Sequence, residues 1–564
     1  MSKTIASMLL SLAISSSAYA QLPTAHPSNI QTTRDGVMYS VSQNETLSSI
    51  SQKFTGHIKN WRAIGLANQI DNDRTIPIGR KVLIPTRLLT PISVFAKVNS
   101  FFGEVVIRAQ DGSNIETRIG TLLKEGDTLT TLANSFISLM LDDGTQFTLP
   151  PNSAISLKLL RATQYTDSPK TQIFLQKGRV ESHVTPFNRP ESRYEVISPL
   201  AVSGVRGTNF RVTADTNKVL NEVIEGKVAV EQNTVKTKPS KQLLAAGYGA
   251  IVENGRVHKP VALLAAPTLL DGYQEQRRLP IQFALSHPAA TAFHVTISID
   301  AAGQNNIAET HVNSTNGKAT AKVENLEDGD YFVRYSALDA SGLEGLSSIQ
   351  PFRVNARPFP PFLLQPGAKS QGIGQNDRIP VTMQWSQVSG VSDYRLQVAT
   401  DATFGAIVVD QNTSAADQSV AMLASGTYYW RVASIIKNGN EQKQGPYGDA
   451  KKLEVIQGLA APVANIHQKD IHFSWSAAPG QRFTFQVADT PAFTKLLHNI
   501  ETTQAETSIP RLDAGIYYAR VRSTDADGFV GTFSPAQKFA IQMQWTSGDG
   551  SPVESLGQPI GTNF

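Results

Sequence analysis

The chain offers 10 histidines, 47 acidic residues and no cysteine for acid-base, metal or nucleophilic chemistry. Their spacing assembles none of the local patterns such chemistry uses. No two histidines stand four apart, as on a zinc-binding helix, and there is no G-x-S-x-G turn and no phosphate-cradling P-loop. Gly372-Ile373-Gly374 lacks the further glycine and helix of a dinucleotide-binding turn and reads as a loop. Asp142-Asp143 before Gly144, and Asp525-Ala526-Asp527 before Gly528, gather carboxylates as a cation site does. A full calcium loop spreads its ligands over about twelve residues, so both read as hairpin turns, where Asp and Gly suit the backbone. The expectation is no catalytic residue, no cofactor and no metal. An enzyme assembled from scattered loops is the minor alternative.

Recognition is then the expected chemistry, and composition narrows its class. A formal charge of +4 with no basic cluster argues against nucleic acid. Lys3, the apolar run Ile5 to Ile14 and Ala18-Tyr19-Ala20 before Gln21 read as a signal peptide over residues 1–20, cleaved on export. No later run is long enough to span a membrane, so no membrane insertion is expected. The lack of cysteine excludes disulfides and a lipid-anchored cysteine, so stability must come from packing. With 564 residues, about four domains are expected. Abundant glycine (40) and proline (30) point to turn-rich β-modules.

Residues 21–36 read as a polar linker. Leu47, Ile50 and Phe54 then fall on one helical face, with Thr46 placed to cap its start. Trp61 and Ile64 through Ala67 suggest a second short helix, with Trp61 on its packing face, and Val82-Leu83-Ile84 a strand. This strand–helix–helix–strand order, closing on Ile76-Pro77-Ile78-Gly79-Arg80-Lys81-Val82-Leu83-Ile84-Pro85, resembles the LysM domain over residues 37–87. The resemblance implies a shallow groove for peptidoglycan or another N-acetylglucosamine-containing glycan, between the loop after the first strand and the loop before the last. Carried over by position, the glycan-binding residues are Gln43, Asn44, Glu45, Thr46 and Leu47 on one side. Ile70, Asp71, Asn72, Ile76 and Pro77 lie on the other. Amides and hydroxyls would meet sugar hydroxyls and the acetamide, while Leu47, Ile70 or Ile76 would meet its methyl. Asn44-Glu45 stands where the family usually has Gly-Asp; asparagine tolerates the left-handed turn, and the longer Glu45 alters the groove wall.

Beyond Pro91 come short alternating runs: Glu104 to Arg108, Ser138 to Leu141, Gln146 to Leu149, Ala154 to Leu159 and Gln172 to Leu175. Ile137, Leu139 and Leu141 would face inward, Ser138 and Met140 outward. The run Ser198 to Val212, SPLAVSGVRGTNFRV, followed by Glu225-Gly226-Lys227-Val228-Ala229-Val230, resembles the FecR domain, a bacterial envelope β-module. The expected module spans residues 94–260 as a β-roll or sandwich, with Gly204 and Gly207 bracketing a tight corner at Val205-Arg206.

A repeat fills the remainder. Gly329-Asp330-Tyr331-Phe332-Val333-Arg334-Tyr335, Gly426-Thr427-Tyr428-Tyr429-Trp430-Arg431-Val432 and Gly515-Ile516-Tyr517-Tyr518-Ala519-Arg520-Val521 share one pattern, tracked upstream by Phe283, Trp385 and Trp475. An early core aromatic and a late tyrosine every ~100 residues mark a β-sandwich array. The units resemble fibronectin type III domains, over residues 266–356, 357–457 and 458–545, with a disordered tail at 546–564. The fold class expected is therefore multidomain and mainly β: a small βααβ domain, a β-roll or sandwich, then three β-sandwich repeats. The modules together imply a non-catalytic scaffold of the periplasm or cell envelope that binds a glycan and holds a partner protein of the envelope. A FecR-type periplasmic sensor or regulator and a cell-surface adhesion protein are the alternatives.

Overall fold

The computed structural model describes residues 29–562 except 73, 167, 234–240, 255, 375–377, 415–417, 440, 546, 550, 552, 556–557 and 560. The expected signal peptide lies outside the described residues. The chain is mainly β, as expected, and forms two compact units. One runs to Gln274 and takes in Pro280–Asn325 and Asp330–Arg353, and the other comprises Glu275–Leu279, Leu326–Gly329 and everything from Val354.

The first unit begins with a three-stranded antiparallel sheet of Ile30–Thr32, Gly36–Ser40 and Lys81–Pro85. The outer strand is a correction, because Ile30–Thr32 falls in the stretch expected to be linker. Helix α1, Leu47–Thr55, starts where Thr46 accepts the Ser49 amide and Ser49 returns the bond, a capping box. It stops at Gly56, whose φ of +71° is the left-handed cap that glycine adopts at least cost. Leu47, Ile50 and Phe54 are fully buried against Val37, Tyr39, Val82 and Ile84, each contributing about 2 kcal/mol of transfer free energy. Helix α2, Trp61–Asn68, buries Ile64, while Trp61 is half-buried against the same core. The Phe54 ring also meets Tyr165 at 5.2 Å, and Arg189 donates to the Thr33 carbonyl at 2.6 Å. These contacts seat the small domain on the module that follows.

That module is built on one 16-residue strand, Ser168–His183. Its first half pairs antiparallel with Ala154–Thr163 and parallel with Arg193–Ile197; its second half pairs with Gln146–Leu149 and Asn209–Ala214. Bridging two layers, it closes them over a core that includes Ile137, Leu139, Phe147, Leu175, Val196 and Phe210. Gly207 has φ +111°, and a Cβ there would lie 2.4 Å from Pro186 Cα, so this corner needs glycine. Gly204 differs from its expectation: it sits within the strand Ala201–Val205, where a Cβ meets nothing closer than 3.7 Å. Ile137, Leu139 and Leu141 face inward as expected, yet Ser138 is also buried, because Ile299, Asn305 and Ile307 of the first sandwich lie beside it.

Each repeat is a two-sheet sandwich. In the first, Thr268–Leu269, Ile281–Ser286 and Lys318–Val323 face a sheet containing Glu344–Val354, Gly329–Leu338, Ala292–Ser298 and Asn306–Asn313. In the second unit, Trp385 and Trp430 are buried in one sandwich core, and Phe473, Phe483 and Phe485 in the other. Tyr428 and Tyr517 each donate to a carbonyl four residues upstream, Ala424 at 3.1 Å and Asp513 at 3.0 Å. That is the tyrosine corner of such sandwiches. The tail expected to be disordered instead carries short strand pairs, Met543–Gln544 with Gly561–Thr562 and Glu554–Ser555 with Gln558–Pro559.

Candidate functional site

The stems of the two LysM-like loops are tied to each other. The Gly79 amide donates to the Val41 carbonyl at 2.7 Å, and the Val41 amide to Arg80 at 3.0 Å. Asn68, at the end of α2, holds the second loop by bonding both backbone groups of Leu83, at 2.6 and 2.7 Å. A Cβ on Gly65 would meet the Ile70 carbonyl at 2.7 Å and Leu47 Cδ1 at 3.4 Å, so both loops converge over that glycine.

The expected glycan-binding residues separate into two groups. Gln43, Asn44, Asp71, Asn72 and Pro77 are exposed, and Ile76 is half-buried. Asn44 adopts the left-handed conformation, φ +67°, that its place in the turn demands. Leu47 (0% exposed) and Ile70 (7%) face the core instead and present no apolar surface. The Thr46 hydroxyl is committed to capping α1. Glu45 is turned inward: it accepts from Tyr39 Oη at 2.8 and 2.9 Å and from the Ser42 amide at 2.8 Å, with Lys53 at 3.4 Å. Burial works to raise its pKa, but the Ser42, Tyr39 and Lys53 contacts outweigh it and hold the carboxyl below its ordinary value. Sequence reasoning missed Ile78, which is 69% exposed on the same loop; a second isoleucine two residues after Ile76 in a stretch of turn residues was the available signal.

The acidic turns carry out structural work. Asp143 accepts from the Thr145 amide at 2.9 Å. Asp525 and Asp527 both meet Lys369 Nζ, at 3.1 and 2.6 Å.

A second constellation, unremarked in the sequence, lies where the first sandwich covers the long-strand module. Glu344 receives Arg179 and Arg211 from that module, the latter at 2.7 Å, together with His294 Nδ1 at 3.1 Å and Ser336 Oγ at 2.6 Å. Glu181 pairs with Arg179 and with Arg334, each at 2.8 Å. Burial opposes ionisation of Glu344, but Arg179, Arg211 and His294 hold its pKa well below the ordinary value. Burial likewise opposes Glu181, and Arg334 and Arg179 still bring it down to about 2. Glu222 goes the other way: burial raises it despite Arg211. The missed signal was Arg334, which occupies the place of Arg431 and Arg520 in the repeated motif.

Family models match two segments of the chain: LysM domain over residues 39–85 and FecR protein over residues 127–229. None of the curated proteins matches the chain. Among solved structures, crystal structures at 2.50 and 1.65 Å of a candidate anti-sigma factor from Parabacteroides distasonis are similar to 24% of this chain, at 20% and 19% identity and a TM-score of 0.20. The chain spans 59% of that protein's structure. The FN1–FN3 domains of chicken CNTN1 are similar over 49% of this chain and 97% of theirs, at 14% identity and a TM-score of 0.19. This is a chain that joins a LysM-like segment and a FecR-like segment to three fibronectin type III-like sandwiches.

Proposed function

We propose that this chain is an exported, non-catalytic envelope protein that binds peptidoglycan, or another N-acetylglucosamine-containing glycan, through its LysM-like loops. On this reading the FecR-like module and the sandwiches hold a partner protein. The observation that carries it is the LysM match over residues 39–85, joined to two hydrogen-bonded loops that present Gln43, Asn44 and Asn72 beside Ile76 and Ile78. Amides suit the hydroxyls and acetamide of a neutral sugar, and an isoleucine suits its methyl. One shallow groove should bind at about 10–1000 μM, so firm retention needs several chains on one polymer.

The test is retention on purified peptidoglycan sacculi by the full chain, by Asn72→Trp and by a chain lacking Met38 to Thr86. Asn72 is exposed and accepts from the Arg74 amide at 3.0 Å, so tryptophan there should fill the groove without touching the core. Both altered chains should lose retention, and sacculi should release no soluble fragments during incubation. Retention by the deleted chain equal to that of the intact one would place the glycan site elsewhere.

The FecR match supports a second reading, a periplasmic regulator acting through a protein partner. Among the described residues no helix is long and apolar enough to cross a membrane. Crosslinking in cells followed by mass spectrometry separates the readings: a membrane-spanning signalling protein as the principal adduct favours the regulator.

A further inference from the structure

His294 and His311 stand directly opposite each other in the antiparallel pair Ala292–Ser298 and Asn306–Asn313, and Glu309 stands opposite Thr296 two residues along. Side chains alternate along a strand, so these four share one face. The candidate ligand atoms of His294, Glu309 and His311 all lie within 4.8 Å of one another. His294 is buried and oriented from behind, with Nδ1 3.1 Å from the Glu344 carboxylate. An ionised carboxylate only accepts, so Nδ1 carries the proton donated to it. Nε2 therefore points the other way, 3.2 Å from Glu309 Oε2 and 3.3 Å from the Thr296 hydroxyl.

We propose that His294, Glu309 and His311 form a binding site for one divalent transition-metal ion, at the margin of the contact between the FecR-like module and the first sandwich. Two imidazole nitrogens and one carboxylate oxygen suit Zn2+, Ni2+ or Cu2+ and are a poor set for Ca2+ or Mg2+. A carboxylate behind a ligating imidazole is the usual second support of such a ligand, and Glu344 stands in that place. Glu309 is 17% exposed and His311 is exposed, which gives the ion a path in and leaves a position for water.

The two rings are stacked, with centroids 4.2 Å apart and planes 5° from parallel. Their lone pairs therefore run alongside each other rather than converge. Metal–ligand bonds of about 2.0–2.1 Å bring tetrahedral ligand atoms to about 3.3 Å. Convergence requires the His311 ring to turn on the solvent side, while Glu344 keeps His294 fixed. Where Nε2 bears a proton toward Glu309, the ion displaces it to solvent as the coordinate bond forms. Because Glu344 also holds Arg179 and Arg211, occupancy should stiffen the contact between the two modules.

The experiment is zinc titration by calorimetry on the full, tag-free chain, with hydrogen exchange followed by mass spectrometry. Wild type should bind one Zn2+ saturably, compete with Ni2+ but not Mg2+ or Ca2+, and gain protection in 292–298 and 306–313. His311→Gln and Glu309→Gln should each weaken that binding by more than the 10- to 100-fold that loss of an outer-shell partner costs. Neither residue is in the core, and circular dichroism checks that each variant keeps its fold. Absence of saturable binding, or binding unchanged in both variants and so owed to other histidines, would overturn the proposal.

Discussion

Arg334, Arg431 and Arg520 occupy the same place in the three sandwiches and make different contacts. In the second, Arg431 lies between the rings of Phe404 and Tyr447, at 3.8 and 4.1 Å, and donates to Gln397 Oε1 at 2.8 and 3.0 Å. In the third, Arg520 lies between Phe493 and Phe533, both at 4.0 Å, and donates to Gln486 Oε1 at 2.7 and 2.9 Å. Arg334 of the first sandwich reaches out of its own repeat to Glu181 of the FecR-like module. The connecting turns explain the difference. Phe404 (φ +60°) and Phe493 (φ +51°) take the left-handed position of a turn where the first sandwich has Gly303 (φ +67°). Each amide donates three residues back, to Asp401, Thr490 and Asp300. The backbone is thus the same, but without the ring the first arginine is uncovered. A Cβ on Gly303 would lie 3.6 Å from Arg334 Cδ. One missing side chain leaves the cation to pair with Glu181 of the neighbouring module in place of the rings that cover it in the other two repeats.

Removing Glu344 should break the first arrangement most severely. Glu344→Ala leaves Arg179 and Arg211 buried without their shared carboxylate, a loss of about 3–5 kcal/mol. Hydrogen exchange in mild urea should show lost protection in 168–183 and 209–214. Fluorescence of Trp385 and Trp430, buried in the second sandwich, should be unchanged.

Acid should act on the same contact with a sign set by Glu181. Its pKa falls from 4.5 to about 2 on folding. The stability it contributes is full above about 4.5 and is lost as pH drops toward 2, at most about 3 kcal/mol. Glu222, raised by burial, gains on protonation and offsets part of that loss. Exchange of 168–183 and 329–338 should therefore quicken between pH 4.5 and 2, ahead of segments in the third sandwich.

Restoring the missing ring is a subtler disturbance. Gly303→Phe suits the turn, since phenylalanine adopts that conformation in both other repeats, but it crowds Ile349 Cδ1, which a Cβ would meet at 3.4 Å. Overpacking should cost about 1–3 kcal/mol, read as lower thermal stability with weakened protection around Arg334. The reverse probe, Arg520→Ala, removes a cation held between two rings and its bonds to Gln486. It should cost about 1–2 kcal/mol, confined to exchange of the third sandwich.

Much of this organisation was written in short-range patterns. Leu47, Ile50 and Phe54 at helical spacing behind Thr46 specify α1, because cap and apolar face both act within one or two turns. The Gly-x-Tyr-Tyr motif specifies the late sandwich strand, and its first tyrosine closes on a carbonyl only four residues upstream. The alternation of Ile137, Leu139 and Leu141 specifies an inward face, since strand geometry alone sets that period. Tertiary structure decided the rest. Leu47 opens α1 and Ile70 lies in the loop after α2, and the packing around Gly65 turns both inward from the expected groove. Glu45 was free by sequence to line that groove, and Tyr39, Ser42 and Lys53 draw it away. Ile30–Thr32 becomes a strand because a paired edge lies beside it, which no composition of the segment reveals. The ionic cluster around Glu344 joins strands more than 120 residues apart. Sequence periodicity records what a residue does within its own element, whereas the worth of a charge depends on which distant surface removes its water.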